Sequence, residues 1–154
     1  MFKTSAATLM GILHWSLRRQ ALYQGVHPIA HDLIAAFARL GVAAVFLMSG
    51  QTKVDGWRVS ENAIDLFTYE YNLPLFSPVL AAHLAVFAEH LLPLMLILGI
   101  FTRLGALGLV AMVVVIQIFV YPSAWPTHAT WLAALLYLVS FGPGRLSLDA
   151  FISK

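Results

Sequence analysis

The chain has 154 residues, of which 60% are hydrophobic and 10% charged, with a formal net charge of +2. Soluble domains average roughly 45–50% apolar and about 25% charged, and a domain of this size still exposes about a third of its unfolded surface, so a soluble globular enzyme and a disordered chain are both excluded. A charge of +2 is too weak to hold a polyanion, which excludes nucleic-acid binding as the main role.

The mean hydropathy is +0.83, and lipid is the expected solvent for most of the chain. No cysteine is present. Disulfides, thiol relays, thiolate zinc sites and ordinary iron–sulfur ligation are thereby removed. Redox chemistry would need another subunit, a quinone or a bound metal.

In residues 1–28, Leu9, Leu13 and Leu17 recur every four residues beside Arg18 and Arg19. This pattern predicts an amphipathic helix lying on the membrane surface. A cleaved signal peptide is not expected, because His14, Trp15 and the arginines interrupt the apolar stretch. The remainder, 29–154, reads as one transmembrane domain. Four apolar stretches follow, near Ile29–Gly50, Val79–Ile100, Leu104–Tyr121 and Ala124–Phe141. A span needs about 20 helical residues, so the fourth is the shortest candidate. The alternation expected of a barrel is absent.

Between the first two spans, Trp57, Ile64, Phe67 and Tyr71 recur at helical spacing, with Arg58, Glu61, Asp65 and Glu70 among them. A short amphipathic helix over the mouth of the bundle is predicted. Pro78 is well placed to open the second span. Short turns near Gly99–Arg103 and Tyr121–Pro126, and the stop Gly142-Pro143-Gly144, complete the pattern. The fold class is an all-α membrane protein, an up-down bundle of four transmembrane helices. Lys3, Arg18, Arg19, Arg103, Arg145 and Lys154 fall on one side, Lys53 and Arg58 on the other. The positive-inside rule then places both termini in the cytoplasm.

Ionisable groups at membrane depth are costly and mark function by default. Counted from the span ends, Arg39 and Glu89 both fall near the midplane, and a buried pair across the first hairpin is expected. That pair has two readings, a structural link or a carboxylate that carries protons or orients a ligand. Pro93 frees the Glu89 carbonyl and predicts a kink. Nearer the outer end, Lys53, His83, Gln117 and His128 stand one on each span, at the height of Trp57, Tyr71, Tyr121, Trp125 and Trp131. A cavity lined by aromatics with a few polar groups suits a quinone or another amphiphile. The plainer reading of the same groups is interfacial anchoring. His83 and His90 lie about 10 Å apart along one helix, too far for one ion, and no metal is expected. His14, His27 and His31 carry no assigned chemistry. Gly41 and Ala44, and Gly105 and Gly108, offer small faces for packing within or between protomers.

Several motifs occur in an ordered series. Arg39 leads to Gly50-Gln51-Thr52-Lys53, Glu89 leads to Gly99-Ile100-Phe101-Thr102-Arg103, and the chain closes on Gly142-Pro143-Gly144-Arg145-Leu146-Ser147-Leu148-Asp149. Over about residues 33–152 the sequence resembles the DoxX family of small bacterial four-helix membrane proteins. The resemblance implies a multi-pass protein of the bacterial inner membrane, with polar positions at Arg39, Lys53, Glu89 and Asp149. The family is similar to the membrane subunit of an archaeal thiosulfate:quinone oxidoreductase. Other members are associated with oxidative-stress complexes, and some are encoded near metalloenzymes that modify small peptides.

The leading expectation is a membrane subunit of a redox-associated system. Glu89 and Arg39 would form its polar centre. His83, Gln117, His128, Lys53 and Trp125 would contact a quinone head group, and a redox enzyme or peptide-modifying system would be the partner. Two rivals stand beside it, a non-enzymatic scaffold for a soluble or peptide partner and a small transporter acting as a homo-oligomer. Asp149 reads as a helix cap or as a partner of Arg103 or Arg145.

Overall fold

A computed structural model describes the backbone of residues 6–71 and 73–152, with side chains from residue 28 onward in that range. Helix α1, Ala6–Gln51, runs unbroken past Pro28. The surface helix expected over residues 1–28 falls on side chains outside the described residues. After α1 come a two-stranded hairpin, β1 (Val54–Asp55) and β2 (Arg58–Val59), and the short helix α2 (Glu61–Asp65), which widens into a π-helical turn at Leu66–Tyr71. Then follow α3 (Pro78–Leu98), α4 (Thr102–Val115) with a π-helical turn at Ile116–Val120, α5 (Trp125–Phe141) and α6 (Leu148–Ile152).

Apolar segments with few polar side chains become helices in lipid because each backbone group is then satisfied internally. Pro28–Gln51, Pro78–Leu98 and Thr102–Val120 are long and apolar enough to cross a membrane. At 17 residues α5 is shorter. Outward-facing Phe37, Phe87, Leu107 and Ile118 are exposed, an apolar exterior that water would not tolerate. The chain is an all-α membrane protein.

Helix α1 packs on α3 and α5, and α4 packs on α3 and α5, so the four long helices close a ring. Its core is Ala35, Val42, Ala43 and Phe46 of α1, Leu96 of α3, Leu109 and Val113 of α4, and Leu135 and Leu138 of α5. A side chain at Gly105 or Gly108 would press within 2.9 Å of Leu96 or Leu92. Those glycines therefore bring α4 close to α3 inside one protomer. Gly41 faces open space.

Trp57 does not join the helix predicted around it. Asp55-Gly56 is a turn signal, and Gly56 takes the positive φ of 59° that the hairpin needs. Trp57 then sits fully exposed at the hairpin tip. The helix begins after Ser60, whose side chain caps the Ala63 amide. Phe67 packs on Ala81 and Ala82 of α3, with Ile64 and Tyr71 beside it.

Candidate functional site

Helices α1 and α3 cross closely at Gly50. A Cβ there would stand 2.8 Å from the His90 ring and 3.0 Å from Glu89 Cβ. This contact brings Ser49, one residue before, and Lys53, one turn after Ser49, against Glu89. Lys53 Nζ lies 3.0 and 2.9 Å from the two Glu89 oxygens. It also donates to the Ser49 carbonyl at 3.1 Å and to Ser49 Oγ at 2.8 Å. The Ser49 hydroxyl donates to Glu89 Oε1 at 3.2 Å. Lys53 and Glu89 are 6% and 4% exposed. Pairing and hydrogen bonding together offset the cost of burying two charges.

These groups form one wall of a cavity of about 410 Å³. Phe46, Phe67, Tyr71, Phe76, Tyr121 and Trp131 supply an aromatic lining. Both π-helical turns border it, through Phe67 and Tyr71 on one side and Ile116 and Val120 on the other. Such widened turns recur at functional sites because they redirect side chains. At the rim the Tyr121 hydroxyl donates to Glu70 Oε1 at 2.5 Å, and the Tyr71 and Tyr121 rings meet edge to face. The hydrogen bond to Glu70 pushes the Tyr121 hydroxyl far above the ordinary tyrosine value, with Tyr71 and burial adding to it. Burial likewise raises Tyr71.

His128, 3% exposed, lines the same cavity. Its Nδ1 lies 2.7 Å from Gln117 Oε1, and Gln117 Nε2 donates to the Pro122 carbonyl at 2.9 Å. Gln117 thus supports His128 without itself lining the cavity. The His128 ring stacks obliquely on Trp131, which meets Phe46 edge on.

The expected Arg39–Glu89 pair does not form. Residue 49 of α1 faces residue 89 of α3, and Arg39 faces Gly99, where a Cβ would meet its Nη1 at 2.6 Å. Ten residues separate Arg39 from Ser49, about 15 Å along the axis. Counting each residue from its own span end assumed level ends, whereas α3 is staggered past the end of α1. Arg39 is buried and donates to the Pro143 carbonyl at 3.3 Å, while its Nε has no partner among the described residues.

Two other expected contacts lie away from the cavity. His83 is exposed, with Nδ1 on its own helix at the Val79 carbonyl. Trp125 is 64% exposed, and Trp131 takes the place on the cavity wall. His90 likewise turns to the Val86 carbonyl of its own helix. Ser49 was not anticipated. Its position one turn before Lys53 was the available signal.

A second polar cluster closes the opposite end. Asp149 accepts the Phe101 and Thr102 amides at 2.8 and 2.9 Å and so caps α4. Phe101 has a φ of 47°, unusual for a non-glycine residue. Burial pushes the Asp149 carboxyl up, but the hydrogen bonds from Thr102 and Phe101 hold it below its ordinary value. Asp32 pairs with Arg145 at 2.6 Å and also accepts its amide. Asp32 had no sequence signal beyond its depth in the first span.

Known proteins resemble this chain in sequence. An uncharacterised protein of Haemophilus influenzae is 28% identical over 124 residues, covering 75% of this chain and 81% of that protein. No solved structure matches. The DoxX family model matches residues 34–122, a stretch that includes Arg39, Ser49, Lys53, Glu89 and both rim tyrosines, and this chain belongs to the DoxX family.

Proposed function

We propose that this DoxX-family membrane protein binds a quinone or similar amphiphile in the cavity between Glu89 and the rim tyrosines. In this reading it is a four-span inner-membrane subunit of a redox-associated system. The termini lie in the cytoplasm, α5 is the fourth span, and the α1–α3 connection lies over the outer mouth.

The observation that carries the reading is a buried Lys53–Glu89 pair in the wall of an otherwise aromatic and apolar cavity. Pockets of 300–1,000 Å³ with an apolar lining and a few fixed polar groups are typical ligand sites. At about 410 Å³, this one admits a single ring with the start of a tail. Aromatic faces suit a flat ring, and His128 and Glu89 place polar atoms on the wall beside its head group. Bound there, a quinone would supply the electron-accepting chemistry that a cysteine-free chain does not itself offer. Electrons would come from, or pass to, a partner protein. The chain's own residues bind, orient and exclude water.

Extraction of the detergent-purified protein, followed by mass spectrometry, tests this. A stoichiometric quinone or other amphiphile lost in Glu89→Gln, with accumulation unchanged, supports the site. Wild-type protein carrying only bulk lipid sinks it.

The scaffold reading draws on one observation, the fully exposed Trp57 at the tip of an ordered hairpin. Aromatic anchors of this kind dominate protein interfaces. Crosslinking from position 57 to a single protein partner would favour it.

A further inference from the structure

The polarity of the cavity's hydrogen bonding follows from three linked groups. The Pro122 carbonyl can only accept, so the group that Gln117 presents to it at 2.9 Å is the amide nitrogen. The amide oxygen is then the atom facing His128 Nδ1 at 2.7 Å. An oxygen only accepts, so Nδ1 carries the proton. A neutral imidazole protonated at Nδ1 has a bare lone pair on Nε2. His128 lines the cavity, and Nε2 is its remaining polar atom.

The donors on the wall are largely committed. The ammonium of Lys53 is held by Ser49 and both oxygens of Glu89. The Ser49 hydroxyl gives its proton to Glu89, and the Tyr121 hydroxyl to Glu70. Three hydrogen bonds reach the Glu89 carboxylate, which has about four acceptor sites. Among the lining side chains, the Trp131 indole N–H and the Tyr71 hydroxyl are donors outside these commitments. The cavity therefore offers acceptors at His128 and Glu89 beside donors at Trp131 and Tyr71. A hydroxyl, which both donates and accepts, matches that set. A carbonyl set against His128 Nε2 or Glu89 would oppose lone pair to lone pair.

We propose that the cavity selects a hydroxyl-bearing ring amphiphile, a phenol or quinol, over its carbonyl counterpart, with His128 Nε2 and the Glu89 carboxylate accepting from its O–H. This rests on the amphiphile-binding reading above and gives the ligand its chemical form.

The test uses the full chain in detergent and two probes with one skeleton, decylubiquinol and decylubiquinone, titrated anaerobically. The quinol should bind at least about tenfold tighter, the effect of one hydrogen bond against one unpaired acceptor. His128→Phe keeps ring bulk and removes Nε2, and should bring the two affinities to within about threefold of each other. Equal or tighter binding of the quinone to the wild type overturns the preference while the amphiphile site stands. Binding of neither probe overturns both. Should His128→Phe not accumulate, Gln117→Leu releases the tautomer and should shrink the preference, and an unchanged preference overturns the proposal. A ligand-free readout is nitrogen NMR of the histidine-labelled protein. The Gln117-dependent resonances should be those of an Nδ1–H ring, and an Nε2–H ring overturns the assignment.

Discussion

At Glu89 two hydrogen bonds from Lys53 and one from Ser49 meet a carboxylate that is 4% exposed. Removing one partner of such a pair leaves an unpaired buried charge. Lys53→Met should therefore cost about 3–5 kcal/mol, read as a fall in the thermal unfolding midpoint in detergent. Lys53→Met with Glu89→Leu should recover most of that loss, because it removes the stranded charge. A double variant no more stable than the single would show that the pair does more than neutralise itself. Gly50→Ala is the steric counterpart. Its Cβ would press on His90 at 2.8 Å, and the strain should cost about 1–3 kcal/mol, whereas Gly41→Ala, facing open space, should be tolerated. The sequence made Lys53 and Glu89 visible as individual charges at membrane depth. It did not show which cation meets Glu89, because the stagger of α3 against α1 depends on the Gly50 contact and on the fold of the connecting segment. His128 and Gln117 were legible as polar residues at one height, but the bond between them, and hence the state of the ring, depends on how α4 and α5 pack.

The helices themselves were legible from unbroken apolar runs bounded by Gly99, Pro78 and Gly142-Pro143-Gly144. The hairpin at Val54–Val59 was not, because two residues per strand are too few for an alternating pattern to register against the helical spacing of Ile64, Phe67 and Tyr71. At the start of α4, Asp149 supplies the cap that Phe101 cannot, since Phe101 has no side-chain acceptor. Asp149→Ala should cost about 1 kcal/mol. The sign of its pH dependence follows from the depressed carboxyl. Its contribution is present above the ordinary value of 3.8 and is lost as pH falls through the lower value that the folded protein holds. The wild type should lose thermal stability below about pH 4 more steeply than Asp149→Ala, and parallel acid profiles would refute the cap. At the rim the raised Tyr121 hydroxyl has the opposite sense. Its contribution is intact below pH 10.0, its ordinary value, and fades as pH rises toward the folded value. Tyr121→Phe should remove that part of the alkaline decline, which a denaturation series at rising pH would detect.

For the whole molecule, the natural absence of cysteine makes topology directly testable. Trp57→Cys, at the exposed hairpin tip, should react with an impermeant maleimide in spheroplasts. Leu146→Cys, exposed beyond α5, should react only after the membrane is opened. Labelling of both from the same side would overturn the proposed four-span topology. The ring of four helices also has a temporal consequence. The amides of Phe101 and Thr102 bond a carboxylate 48 and 47 residues later in the chain. Chains are made at about 5–20 residues per second, so the α3–α4 hairpin waits on the order of 2–10 s before its cap exists. During that interval α4 enters the membrane with its leading turn unmet. The ring is pinned at that end only when the segment after α5 leaves the ribosome, which makes those late residues the clock for assembly.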